Sequence, residues 1–317
     1  MTNPTKVTRS PWMGLIRPTT NADREYRLAL ALMAPALLAI LGVAFFPILR
    51  TMWISLHTRV LNEPGLGQPF VGLQNYVDLV VGSDGRLLAS LANTLKFTVS
   101  SVSLELVLGL LIALLIHREF TGRGLVRASV LVPWAIPTAI SSLMWRFIFD
   151  DRLGLLNDIL ARIGLIDGYQ AWLGNPKTAM AAIVATDVWK TTPFMALLLL
   201  AGLQVIPWDL YEAARVDGAG AWTSFWRITL PLLKPAMLVA LVFRTLDAFR
   251  AFDIVFVMTG GGPANSTETI TVYGYKTLMR YLDFGHGSAI AVIIFLCVLS
   301  ISFLYIKLLG ANLSKEV

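Results

Sequence analysis

This sequence predicts an all-α protein embedded in the lipid bilayer and crossing it six times. Three observations carry that expectation. Of 317 residues, 56% are hydrophobic and only 15% charged, with a mean hydropathy of +0.67, too apolar for a soluble domain of this size. The apolar residues come in runs of roughly 20, the length a helix needs to cross ~30 Å of hydrocarbon. The basic residues fall mainly in alternate loops, so the net charge of +6 reads as loops held on the cytoplasmic side rather than as a nucleic-acid surface.

Taken in order, residues 1–27 form a polar tail carrying Lys6, Arg9, Arg17, Arg24 and Arg27. The first apolar run starts only at Leu28 and reads as a span to Leu56, kinked at Pro35 and Pro47, rather than as a cleavable signal peptide. A Gly- and Asn-rich loop (57–92) leads to a second span over Asn93–Ile116 and a short basic loop with Arg118, Arg123 and Arg127. The third span covers Ala128–Phe149, the fourth Thr178–Val205, the fifth Ala236–Met258 and the sixth Ser288–Leu309. A transmembrane domain over 28–309 is therefore expected, with a polar loop at 206–235 and a tail at 310–317. The lone cysteine, Cys297, lies in an apolar run and excludes an intrachain disulfide.

The 206–235 loop is the most informative stretch. Glu212, Arg215, Asp217, Arg227 and Lys234 require water, so Tyr211–Pro235 lies outside the membrane between two spans. Glu212 and Arg215 are an i,i+3 pair in a helix-favouring run, and Gly218 suits the left-handed residue that ends a helix. Pro231 and Pro235 are expected to restrict the chain as it re-enters the bilayer. The bland alternative is a solvated connector. With the positive-inside rule the loop and both termini face the cytoplasm, which suits a docking element for another protein.

Charges also occur inside the apolar runs: Glu105, Asp187, Lys190, Arg244, Asp247, Arg250 and Asp253. Each costs several kcal/mol at bilayer depth unless it faces protein or water. At 100° per residue, Arg244 and Asp253 point in opposite directions, which leaves Asp247 as the member of the fifth-span series aimed at a lumen. An internal ion-pair network that fixes helix packing is the competing account, most evenly balanced for Arg244 and Arg250. Glu105 and Lys96 read as bundle residues that pair internally. Gly260–Pro263 reads as a tight turn, since no Lys-Ser/Thr follows it. The three histidines, His57, His117 and His286, are isolated in sequence, so neither a metal site nor a catalytic residue is expected.

Glu212-Ala213-Ala214, then Asp217-Gly218-Ala219, then Leu230-Pro231 with Pro235 resemble the cytoplasmic loop of the permease subunits of bacterial ATP-binding-cassette (ABC) importers, carbohydrate class. Phe70–Tyr76, Pro133 and Pro137 with Trp145, Gly154 with Asn157, and Gly261–Pro263 support that resemblance across nearly the whole chain. Val188–Phe194 and Phe243–Arg250 are similar to disaccharide permeases of the mycobacterial trehalose-recycling type. The resemblance implies the type I importer permease fold in a bacterial plasma (inner) membrane. It implies a second permease, two ATPase subunits that bind ATP and Mg, an extracytoplasmic sugar-binding protein and a sugar, with no cofactor in this chain. It further implies that Glu212, Ala213, Ala214, Asp217, Gly218 and Ala219 couple to the ATPase. By the same token Asp187, Lys190, Thr191, Phe194 and Asp247 (or its neighbour Ala248, since the match there needs a one-residue gap), with Arg244 and Arg250, contact substrate, although charge stands where that class often has neutral polar groups. An ion-coupled carrier or membrane-embedded enzyme using the Asp/Arg series is the alternative, and such a protein has no reason to keep the Glu212–Pro235 loop.

Overall fold

The computed structural model describes residues 21–82 and 85–313, and every regular element in them is helical. The chain divides into two compact units between Trp53 and Ile54. The first is an apolar helix in two parts, α1 (Asn21–Ile40) and the start of α2 (Phe46–Ser55), joined by a π turn over Leu41–Phe45. Pro47 follows two residues after that turn, and its missing N–H leaves one bond of a regular α-helix unmade. The helix starts at Asn21 rather than at the expected Leu28, while Lys6, Arg9 and Arg17 lie outside the described residues. No side chain from Glu25 to Trp53 is buried, and the helix is long and apolar enough to cross a membrane.

The second unit begins with a tethered loop. Asn75, on α3 (Gln74–Val81), donates its side-chain amide to the carbonyls of Ser55 and His57 at 2.8 and 3.1 Å. A long helix, α4 (Arg86–His117), then crosses the bilayer and packs along α8 (Ala179–Gln204), which is buried on nearly every side. Small residues permit the approach: a Cβ on Gly109 of α4 would fall 2.7 Å from Met195 Cγ of α8. The core between these helices is filled by Phe97, Ile183, Met195, Leu199 and Leu203.

Between α4 and α8 the chain forms α5 (Arg123–Ala135), α6 (Thr138–Ile148) and the short α7 (Leu155–Arg162). The expected continuous third span is instead a broken one, with α5 and α6 meeting at 88°. Pro137 is the cause: it has no N–H, and it pushes Ile136 into an extended conformation (ψ 134°). Five helices have the length and apolarity of membrane spans and this bent pair makes a sixth, among the described residues.

After α8 comes α9 (Asp209–Val216), the short helix expected in the polar loop. Gly218, at φ 81°, follows its cap; Gly218 N–H reaches the Arg215 carbonyl at 3.1 Å and Ala219 N–H the Ala214 carbonyl at 2.8 Å. This pair of bonds is a Schellman motif, the reason a glycine stands there. The next span runs over Ala221–Phe249, comprising α10 (Ala221–Ser224), a π turn at Phe225–Thr229 and α11 (Leu230–Phe249). It therefore starts well before the expected Ala236, and Pro231 and Pro235 do not break it. The π turn precedes Pro231 and takes up its missing donor, while Pro235 sits inside α11. At Gly202, a Cβ would lie 2.4 Å from the Ala236 Cβ, so α8 and α11 nearly touch.

The helix also stops early. Arg250 caps α11 and Asp253 opens a separate helix, α12 (Asp253–Met258), so the span expected to run on to Met258 ends at Phe249. Helices α13 (Ile270–Tyr275) and α14 (Phe284–Leu313) complete the unit, packed around Leu79, Phe249, Ile270 and Ile290. At this end Glu268, 1% exposed, accepts from Arg86 at 2.7 and 2.9 Å and from Lys276 at 2.6 Å. Burial alone would raise its carboxyl, but those two cations hold it below the usual carboxylate range.

Candidate functional site

Three spans converge on one charge cluster. Arg244 of α11 is 2% exposed and points into the bundle. Its Nε and Nη2 grip Glu105 of α4 at 2.5 and 2.7 Å, Nη2 also reaches Asp187 of α8 at 3.0 Å, and Nη1 meets Asp247 at 2.7 Å. Thr191 of α8 donates to Glu105 at 2.6 Å, within 2.6 Å of the Asp187 carbonyl as well. A planar guanidinium forked onto one carboxylate and shared with two more is the arrangement that lets charge sit among apolar helices.

Of the span charges three residues apart in sequence, only Arg244 and Asp247 form an ion pair among the described residues. Asp187 turns to Arg244, and Lys190 turns instead to the break between α5 and α6. There its ammonium donates to the Ile136 and Trp134 carbonyls at 2.9 and 3.3 Å, satisfying groups that the broken helix leaves open. Arg250 donates from Nε to its own Leu246 carbonyl at 3.1 Å. Lys96 is exposed and has no ion-pair partner among the described residues.

Beside this cluster lies a cavity of 280 Å³, bounded by Trp134, Asp187, Lys190, Thr191, Asp247 and Arg250 among others. Arg244 is part of its lining. The carboxylates differ in what they can still do. Glu105 is wholly buried and committed to Arg244 and Thr191, whereas the Asp247 side chain is 71% exposed and keeps an oxygen on the cavity. Phe194 lies outside the lining and stacks on Trp134, with ring centroids 5.8 Å apart and planes 14° from parallel. The cavity thus offers carboxylate acceptors, cationic donors and an indole, all useful to a polyhydroxylated ligand.

Two of these features were hidden in the sequence. Trp134 gave no signal of its own, although Pro133 and Pro137 bracket it. Glu105 was visible only as a lone acid in an apolar run, and its partner stands 139 residues away.

The second feature is α9 itself. Glu212, Ala213, Asp217 and Gly218 are exposed, while Ala214 and Ala219 are half-buried. Tyr211 hydrogen-bonds through its hydroxyl to that of Thr229 at 3.0 Å, tying α9 to the start of the Ala221–Phe249 span. Around the outward face stand Val205, Val216 and Trp222, at 81%, 88% and 74% exposure.

A polar chamber among spanning helices, with an extramembrane helix fixed to the ends of those spans, is the arrangement of a membrane permease. The chain belongs to the family of binding-protein-dependent transport system inner membrane components, which it matches over residues 105–310. It is 47% identical over 284 residues to the trehalose/maltose transport system permease protein MalF of Thermococcus litoralis, covering 90% of this chain and 94% of that protein. It is 44% identical over 287 residues to the trehalose transport system permease protein SugA of Mycobacterium tuberculosis, covering 90% of each. In fold it resembles a chain of a bacterial ABC transporter involved in import of the acidic polysaccharide alginate. The TM-score is 0.77 at 22% identity, over 91% of this chain and 96% of that one. The protein is thus an inner-membrane transporter subunit with the ABC-importer permease fold, not an enzyme.

Proposed function

We propose that this chain conducts a disaccharide of the trehalose or maltose type into the cytoplasm, as one of two permeases in an ATP-driven importer. The observation that carries this reading is the chamber beside Asp247, a small polar cavity set among the spanning helices of a chain whose relatives handle these sugars. In this reading Asp247, Lys190 and Arg250 meet sugar hydroxyls. Trp134 presents an apolar face to a pyranose ring, and the second permease supplies the opposite wall. Arg244 acts by positioning Asp247 and Asp187 rather than by contact.

The loop from Glu212 to Ala219 faces the cytoplasm in this reading, and both termini lie on the same side. Helix α9 enters a cleft of an ATPase subunit, with Glu212 meeting a cation there and the flanking Val216 and Trp222 packing against its walls. Closure of the ATPases on ATP and Mg moves α9, and the Tyr211–Thr229 bond passes that movement to the span bearing Arg244 and Asp247. Sugar arrives from an extracytoplasmic binding protein. The test is ATP-dependent uptake of labelled trehalose and maltose by proteoliposomes holding the whole complex. Asp247→Ala is expected to cut uptake at least tenfold while the complex still assembles. Undiminished uptake would remove Asp247 from the path.

A further inference from the structure

A second cavity, of 470 Å³, lies at the α9 end of the spans and has no part in the sugar path. Its walls come from the last turns of two spans and the first turns of a third: Leu114 and His117 of α4, Leu203 of α8, and Ala221, Ser224 and Phe225. Trp208, Tyr211 and Arg215 close it from the α9 side. We propose that this cavity binds one anionic phospholipid, its phosphate held by Arg118 and Arg215 and its upper acyl chain lying along Leu114, Leu203 and Phe225.

Four features point to that occupant. The cavity sits where spans end, the depth of lipid headgroups, with Trp208 and Tyr211 placed as interfacial aromatics usually are. The lining is mostly apolar, which a soluble anion would not use but an acyl chain would. His117, Arg118 and Arg215 supply cationic or ionisable groups, and no residue of the lining is acidic. Basic pockets between spans on the cytoplasmic side are suited to anionic headgroups. Arg215 is held in place, its guanidinium 5.6 Å from the Trp208 ring centre, and the buried Nδ1 of His117 has no hydrogen-bond partner among the described residues. The basic N-terminal tail carries the wrong charge to fill such a site.

The site touches the same helix that reaches the ATPase. A lipid wedged against Trp208, Tyr211 and Arg215 would brace the turns of α9 that carry Glu212, one turn from Arg215, and so favour transmission of ATPase closure. This second step rests on the coupling role proposed above; binding itself does not.

The test uses the assembled importer in nanodiscs of phosphatidylcholine with or without phosphatidylglycerol, compared with Arg118→Gln, Ala221→Phe and Arg227→Gln. Ala221→Phe fills the cavity without changing charge, and Arg227→Gln removes an exposed cation of the π turn at Phe225–Thr229 that does not line it. Native mass spectrometry is expected to find one more retained phosphatidylglycerol on the wild type and Arg227→Gln than on the other two. Substrate-stimulated ATP hydrolysis should rise at least threefold with phosphatidylglycerol in the first pair only. Equal lipid counts in all four, equal retention of phosphatidylcholine, or displacement by millimolar inorganic phosphate would overturn the lipid site. Should Arg118→Gln fail to assemble, Ala221→Phe decides the outcome. A lipid count that falls as expected with hydrolysis unchanged would overturn the bracing of α9 alone.

Discussion

Replacing Arg244 by methionine tests whether the cluster is a structural clamp with one functional arm. Methionine keeps most of the aliphatic volume and removes the guanidinium, so what changes is charge and hydrogen bonding. Glu105, 0% exposed, and Asp187, with a side chain 10% exposed, then face each other with no counter-charge. Breaking a buried pair by removing one partner costs about 3–5 kcal/mol, because the remaining charge is left uncompensated. Asp247→Ala removes the third carboxylate, but that side chain is 71% exposed and Arg244 keeps both other partners. An exposed pair contributes at most about 1 kcal/mol. The assay is unfolding of the purified complex by SDS titration, with uptake measured in parallel. Arg244→Met should lose ~3 kcal/mol or more, and adding Glu105→Gln should restore part of it. Asp247→Ala should lose uptake and little stability. If Arg244→Met costs under ~1 kcal/mol, or if the two variants destabilise equally, the division of labour argued here is wrong.

Other outcomes follow from single features. Gly218→Val forces a β-branched residue to φ 81° and costs ~1–2 kcal/mol locally, frays the end of α9, and should abolish substrate-stimulated ATP hydrolysis while assembly persists; hydrolysis at the wild-type rate would show that the Schellman cap is dispensable. Gly202→Val has no room beside Ala236 and Leu233, so α8 and α11 must separate and the yield of folded protein should collapse; unchanged yield and melting would mean the helices do not approach as described. Glu268 has a depressed carboxyl, so its contribution to stability is complete above the unfolded carboxylate pKa of ~4.3 and is lost as pH falls through its lower folded value. Stability of wild type should therefore drop more steeply than that of Glu268→Gln as pH falls below about 4, and parallel profiles would contradict the assignment.

The existence of the apolar spans and of α9 could be read locally, because an apolar run and a cap glycine are properties of neighbouring residues. What escaped depended on distant partners. Pro137 was in plain view, but whether a proline in an apolar run bends or breaks it depends on what receives the freed carbonyls. Here Lys190 does, 54 residues later in the case of Ile136. The end of α11 at Phe249 has no glycine or proline to announce it; Thr271 fixes it from outside by donating to the Ala251 carbonyl at 2.7 Å. For the same reason, the charged series placed along one continuous span separates into a clamp at Arg244, a cavity wall at Arg250 and a new helix at Asp253.

The clamp also has a direction in time. Synthesis delivers Glu105 first, Asp187 next and Arg244 last, so both acids reach the membrane before the base that neutralises them. A carboxyl can wait in hydrocarbon as the uncharged acid, whereas a guanidinium cannot shed its proton. A ribosome-bound chain that stops short of Arg244 could therefore lodge stably, and the arrival of that one residue would draw α4, α8 and α11 together. The reverse order of emergence would strand a permanent cation in oil.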